Sequence, residues 1–185
     1  MDPADEGMKR SVLLLLLAAM AGPLPAQTPP PQPVAFRIGS VRFDRPEGWS
    51  YSRPTDGVRA AQLEKKSAGS PLRITFTRFP PGSGGTVQAN VDRWQAQFLA
   101  LDSPAEVQTP AGTAAPLTVV KLHGTMKGGV PGGPARDTPG LLLLGAILEA
   151  PDGWVVVKLT GPKSAVVREE KMFWEMVRAA AGRSS

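Results

Sequence analysis

Hydrophobic and polar residues alternate with a period of two over much of this chain, a pattern typical of β-strands with one buried face. The alternation is clearest over residues 72–79, where Leu72, Ile74 and Phe76 are separated by polar residues. Similar shorter stretches predict further strands at residues 36–43 (one strand or a broken one), 49–53, 58–65, 105–109 and 117–126. Two nearly continuous apolar runs, 141–150 and 154–160, flank Pro151-Asp152-Gly153. They predict a hairpin of central strands that are covered on both faces.

Two segments change to a helical period. Thr86 is a suitable N-cap, and the apolar residues that follow it predict a helix over residues 87–100. These residues are spaced four, three and four apart: Val87, Val91, Trp94 and Phe98. Gly161-Pro162 precedes a second predicted helix, which extends to about residue 181 and buries Val166, Phe173, Val177 and Ala180. Because the helices follow runs of strands, we expect an α+β fold with a largely antiparallel β-sheet and helices packed on it.

The N-terminal segment has the three parts of a secretory signal peptide. Met8-Lys9-Arg10 precedes an apolar run over residues 12–21, and small residues and prolines follow up to Ala26. The run is shorter than the roughly 20 residues that span a bilayer. Residues 1–26 are therefore a predicted signal peptide, with cleavage after Ala21 or, as we favour, after Ala26. Acidic residues precede the basic pair, so Met8 is an alternative start.

Residues 27–33 (QTPPPQP) form a predicted proline-rich tether, and residues 34–182 a single domain. We expect a protein that is exported to the periplasm or the extracellular space and is soluble after signal cleavage. The mature chain would then contain no transmembrane segment.

Composition argues against several classes of chemistry. The chain has no cysteine and one histidine, His123, which removes thiol catalysis, thiolate metal sites and most histidine chemistry. No serine lies in a G-x-S-x-G motif. The formal net charge is +5, but no block of Lys and Arg occurs, so specific nucleic-acid binding is not expected. We therefore expect a protein that is not an enzyme and has no metal site and no cofactor.

Three segments together resemble the PsbP-like family, whose fold is shared by the Mog family of Ran-binding proteins. They are Pro46-Glu47-Gly48-Trp49 followed by Val58-Arg59-Ala60-Ala61, the N-x-x-R-W-x-x-Q-F pattern over residues 90–98, and Lys158-Leu159-Thr160-Gly161-Pro162. The resemblance is to exported bacterial members in particular, and it implies an α/β/α sandwich. It supplies no catalytic residue, and no segment matches a photosystem or Ran contact motif.

Five residues are candidates for a binding site. Asn90, Arg93 and Gln97 flank the apolar stripe of the first predicted helix, Lys158 lies in an apolar strand, and Arg136 lies in a Gly/Pro-rich loop over residues 127–140. The loop is either functional or disordered. Structural alternatives also exist for the helix residues and for Lys158. The three helix residues would tie the helix to loop backbone, and the Lys158 stem would lie along the sheet with its ammonium at an edge or in an ion pair.

The expected function is that of a non-enzymatic binding or adaptor domain of the bacterial cell envelope, a monomer or weak oligomer. It would contact another envelope protein through the 127–140 loop or a sheet edge. Two alternatives stay open. One is a small-ligand or polyanion binding protein that uses Arg93, Lys158 and the basic surface, and the other is a structural module of an envelope assembly.

Overall fold

The computed structural model describes residues 32–67, 71–130 and 133–182. The predicted signal peptide, and the predicted tether up to residue 31, lie outside these residues. Ten strands and two helices occur in the described ranges. They are β1 (Ala35–Ile38), β2 (Val41–Asp44), β3 (Ser50–Ser52), β4 (Ala61–Lys65), β5 (Leu72–Phe79), α1 (Val87–Gln95), β6 (Phe98–Leu101), β7 (Glu106–Gln108), β8 (Leu117–Met126), β9 (Thr138–Ala150), β10 (Gly153–Pro162) and α2 (Lys163–Gly182).

The main sheet has the strand order β3-β4-β5-β10-β9-β8-β6, and β7 also pairs with β8. Every pairing in it is antiparallel. The predicted fold class, an α+β fold with a largely antiparallel sheet, is therefore confirmed. The apolar runs form the central strands β9 and β10, as predicted. Side chains of β9 are buried on both faces, for example Leu142 and Leu144 on one and Leu143 and Ile147 on the other.

The two helices lie on opposite faces of this sheet. Helix α2 shares one face with the β1–β2 hairpin, and its Phe173 and Val177 are fully buried there. Helix α1 lies on the other face, where Val91 and Trp94 pack with side chains of β8 and β9. The result is the α/β/α arrangement. Among the described residues, no helix is both long and apolar enough to cross a membrane.

The segment predicted as one strand or a broken strand is a hairpin. β1 and β2 pair with each other in a separate two-stranded sheet, joined at Gly39 and Ser40. Gly39 has φ +58°, a conformation that glycine adopts without strain. The two strands alternate in burial, and their apolar side chains pack on the same core as α2.

Helix α1 ends earlier than predicted, at Gln95 instead of residue 100. The Gln97 amide donates to the Trp94 carbonyl at 3.1 Å, which tightens the last turn. The Lys127 amide then donates to the Gln97 carbonyl at 2.9 Å and starts the pairing that makes Phe98 the first residue of β6. The Gly/Pro-rich loop is also shorter than predicted, because β9 already begins at Thr138. We call residues 127–137 the glycine-rich loop.

Candidate binding site

Asn90 lies at the start of α1 and is only 1% exposed. The Thr86 side chain caps the helix by accepting from the Ala89 amide at 3.0 Å, which confirms Thr86 as the N-cap. The Asn90 side-chain amide donates to the carbonyls of Gly84 at 2.8 Å and Thr86 at 2.9 Å. Asn90 thus ties the helix to the backbone of the loop before it. This is the structural role that the sequence offered as the alternative to ligand binding.

Arg93 is exposed, and its guanidinium contacts the same amide. Nη1 of Arg93 donates to Oδ1 of Asn90 at 2.9 Å. Both polar ends of the Asn90 amide are therefore bonded. Arg93 thus lies on the exposed side of α1, and the Asn90 side-chain oxygen, a neutral acceptor, holds one nitrogen of its guanidinium.

Gln97 and Lys158 come together at the other end of α1. Nζ of Lys158 donates to Oε1 of Gln97 at 3.3 Å. Nζ of Lys127, the first residue of the glycine-rich loop, donates to the Ala96 carbonyl at 2.8 Å. Two ammonium groups, from β10 and from the loop, thus contact adjacent residues at the carboxyl end of α1, where the helix dipole favours positive charge.

Lys158 lies in a central strand between β5 and β9. It stands opposite Thr75 on β5 and Gly145 on β9. A Cβ atom at position 145 would lie less than 3.0 Å from the Trp94 indole, so the ring occupies the space that a side chain would fill. Burial lowers the pKa of the Lys158 ammonium, because the charged form loses contact with water.

Beyond Lys158, the same sheet face continues as a polar surface over β5 and β4. Residues in register share a face, so two cross-strand rows of polar residues lie side by side. We call these six residues the polar strand face: Gln62, Thr75 and Lys158 in one row, and Glu64, Arg73 and Thr160 in the other. Arg73 is exposed, Gln62 is buried, and the other four residues of this face are half-buried.

Hydrogen bonds order the polar strand face. Oε1 of Glu64 accepts from Nε2 of Gln62 and from Nε of Arg73, both at 2.8 Å. Thr160 differs, because its hydroxyl oxygen is buried and has no hydrogen-bond partner among the described residues. A buried hydroxyl without a hydrogen bond lowers the stability of the fold. Thr160 is therefore a second unusual polar residue on β10, two positions after Lys158.

The remaining sequence candidates lie apart from this cluster. Arg136 is exposed in the glycine-rich loop, and its carbonyl accepts from the Thr138 hydroxyl at 2.8 Å. No contact given for the described residues joins Arg136 to Gln97 or Lys158. His123 lies on the α2 side, with Nδ1 at 2.9 Å from Oδ2 of Asp102. Within the described ranges, no group of three or more His, Asp or Glu residues is placed to hold a metal ion.

Sequence reasoning missed Lys127 and most of the polar strand face. The alternation at residues 72–79 does reveal Arg73 and Thr75 as one polar side of a strand. What the sequence lacks is the strand order, since β10 reaches β5 from more than 70 residues away along the chain. In the sequence Lys158 is surrounded by apolar residues, but in the fold it lies at one end of a row of polar residues on three strands.

Comparisons with known proteins find similarity of structure only. No protein-family model matches the sequence, and no curated protein matches it. A protein of unknown function from Pseudomonas aeruginosa, described as a putative regulator, is 12% identical, with a TM-score of 0.44 over 78% of this chain and 92% of that one. The cyanobacterial PsbP (CyanoP) from Synechocystis is 13% identical, with a TM-score of 0.48 over 84% of this chain and 96% of that one. The second match is a PsbP, the family that the sequence resembles.

Proposed function

We propose that this protein is an exported, non-catalytic binding domain of the bacterial cell envelope. In this proposal, the polar strand face and the adjoining glycine-rich loop contact another envelope protein. The observation that carries the proposal is the position of Lys158. Its side chain lies in a central strand beside the polar strand face, and its ammonium bonds to Gln97, whose carbonyl accepts from the Lys127 amide at the base of the loop.

A charge at this position is expensive for the fold alone. On the same face of β10 the neighbouring Val156 is buried and apolar, and burial penalises the charged form of Lys158 itself. An apolar residue there would stabilise the sheet without this cost. A lysine at this position is explained when its positive charge helps to recognise a partner.

The polar strand face also suits recognition of a polar protein surface. It offers donors from Arg73 and Lys158 and acceptors from Glu64 within two adjacent rows. The prearranged bonds to Glu64 lower the entropy that these side chains lose on binding. Export and envelope location rest on the signal-peptide pattern of residues 1–26.

The proposal is tested by capture of the partner in the native host. The full chain would be expressed with a C-terminal tag, crosslinked in the envelope, purified and compared with two variants. One variant is Lys158→Met, and the other replaces residues 129–135 by a short Gly/Ser linker. Lys171→Met, on the exposed side of α2, is the matched control.

We expect one stoichiometric protein that is captured by the wild type and by Lys171→Met but lost from both site variants. Equal capture by all four proteins would overturn the assignment of the surface. A purified chain that hydrolyses peptides, esters or sugars, and loses that activity in His123→Ala, would overturn the non-catalytic proposal.

A second candidate is polyanion binding. It is favoured by Arg93 and Lys127, whose charged groups donate to neutral oxygens of Asn90 and Ala96. Salt separates the two candidates, because polyanion binding releases counterions and weakens steeply as ionic strength rises. In purification without crosslinking, capture that persists at about 0.5 M salt favours the protein partner, since hydrogen bonds and partly buried ion pairs are screened less than exposed charges on a polyanion.

A further inference from the structure

A shallow cleft of about 100 Å³ lies between α2 and the short edge strand β7. It is on the sheet face opposite the polar strand face. Small-molecule sites that enclose their ligand occupy about 300 to 1,000 Å³, so a ligand here would lie on the lining with most of its surface outside the cleft. Its polar and aromatic lining consists of six residues: Glu106, Gln108, Lys121, Glu170, Trp174 and Arg178.

Backbone geometry forms the two walls of the cleft. Glu170, Trp174 and Arg178 are four residues apart, so they stack on successive turns along one side of α2. Glu106 and Gln108 are two residues apart on β7 and share a face. Their partners in register on β8 are Lys121 and Val119, which line the floor.

Hydrogen bonds fix the inner wall before any ligand arrives. Nζ of Lys121 donates to both carboxylate oxygens of Glu170, at 2.8 and 3.1 Å. Nε1 of Trp174 donates to Oε1 of Glu170 at 3.2 Å, which sets the orientation of the indole. Phe173 packs edge-on against the same ring, with centroids 4.9 Å apart. The aromatic surface of Trp174 is therefore held in place at the cleft.

The lining is balanced in charge. Glu106 and Glu170 are opposed by Lys121 and Arg178, so an anion or a cation entering the cleft meets a like charge as well as an opposite one. Donors and acceptors are both present, and Gln108 supplies each of them in one side chain. Hydroxyl groups also donate and accept, and the C–H face of a sugar ring is apolar enough to lie on an indole.

From this combination, we propose that the cleft binds a neutral saccharide, with Trp174 as the stacking surface and with Gln108 and Arg178 bonding to hydroxyls. The site is independent of the proposed partner surface, because it lies on the other face of the sheet and shares no residue with it.

Indole resonances of the ¹⁵N-labelled full chain provide the test. The protein has four tryptophans, so its spectrum contains four indole N–H signals, and Trp174→Phe identifies the one from the cleft. Cellotriose and chitotriose are titrated separately to about 10 mM, so that binding with a Kd of up to about 1 mM approaches saturation. Inorganic phosphate is the anionic comparison.

We expect at least one trisaccharide to shift the Trp174 signal in a saturable manner and to leave the Trp49 signal unchanged. Gln108→Ala, at an exposed edge position, should weaken the affinity about tenfold, whereas Arg168→Ala, outside the cleft on the same helix, should not. The proposal is overturned if neither trisaccharide shifts the Trp174 signal, if phosphate shifts it at lower concentration than either sugar, or if Gln108→Ala binds as the wild type does.

Discussion

The indole of Trp94 lies against the backbone of Gly145, the residue of β9 that stands directly opposite Lys158. Helix α1 thus contacts the sheet beside the candidate site. The ring is 5% exposed and belongs to the core on this face. Because Trp94 fixes α1 over β9, it also fixes Gln97, which bonds to Lys158.

Gly145→Ala should destabilise the fold. The added Cβ would lie less than 3.0 Å from three indole atoms, and both the ring and the central strand are held by their neighbours. Overpacking of this kind costs about 1–3 kcal/mol in the free energy of unfolding, measured by urea titration. Gly182→Ala is the control, since no atom lies within 4 Å of a Cβ there. A loss below about 0.5 kcal/mol at position 145 would show that α1 shifts without cost.

The elements with the strongest periodicity could be predicted to the residue. The observed bounds of β5 and β8 match the predicted ranges 72–79 and 117–126, because alternation and a flanking proline or loop define both ends. The end of α1 could not be found in this way. Phe98 follows Trp94 by four positions, as in a continuing helix. In the fold Phe98 begins β6 and still packs in the same core as Trp94, so its spacing does not reveal where α1 ends.

The site was predictable only in part. Helix spacing indicates Gln97 and charge in an apolar strand indicates Lys158, each separately, and the fold joins them through one hydrogen bond. Their shared neighbours depend on strand order, which local patterns do not encode. The Trp174 cleft could not be predicted for the same reason. It lies between β7 and α2, and no local sequence pattern indicates that these two elements are neighbours.

Asn90→Ala should reduce stability more than Arg93→Ala does. The first change removes two donations to backbone carbonyls and leaves the Gly84 carbonyl without that partner in a buried region. Such a loss costs about 1–3 kcal/mol. Arg93 is exposed and makes one bond to a side chain, so its loss should cost less than about 1 kcal/mol. Urea unfolding of both variants checks the order, and a larger loss for Arg93→Ala would contradict it.

Acid should weaken the link between the β1–β2 hairpin and the β9–β10 turn. The Ser40 hydroxyl and amide both donate to the Asp152 carboxylate, and Arg78 adds an ion pair at 3.0 Å. The Ser40 hydroxyl holds the pKa of Asp152 below its usual value, against the partial burial that raises it. A depressed carboxyl pKa stabilises the fold above the unfolded-state value of about 3.9, and this contribution is lost as pH falls through the folded-state pKa.

Asp152→Asn should therefore unfold more easily than the wild type at neutral pH, by less than about 1.5 kcal/mol because the carboxylate is partly exposed. The difference should shrink steadily below about pH 4. Glu47→Gln, at an exposed position, serves as the control. A difference between Asp152→Asn and wild type that is constant from pH 7 to acid would show that the carboxylate charge does not contribute.

Lys158→Met should show whether the buried ammonium of Lys158 destabilises the fold, as expected of a group kept for binding a partner. The folded-state pKa of Lys158 is lowered by desolvation, so the charged form is penalised in the folded protein. This penalty is fully present below the folded-state pKa, and it disappears as pH rises from there to the unfolded value of about 10.4. Lys158→Met should thus be more stable than the wild type at neutral pH, and the two should converge in alkaline solution. If the variant were less stable at pH 7, the bond to Gln97 would outweigh desolvation, and Lys158 would be explained by the fold without a partner.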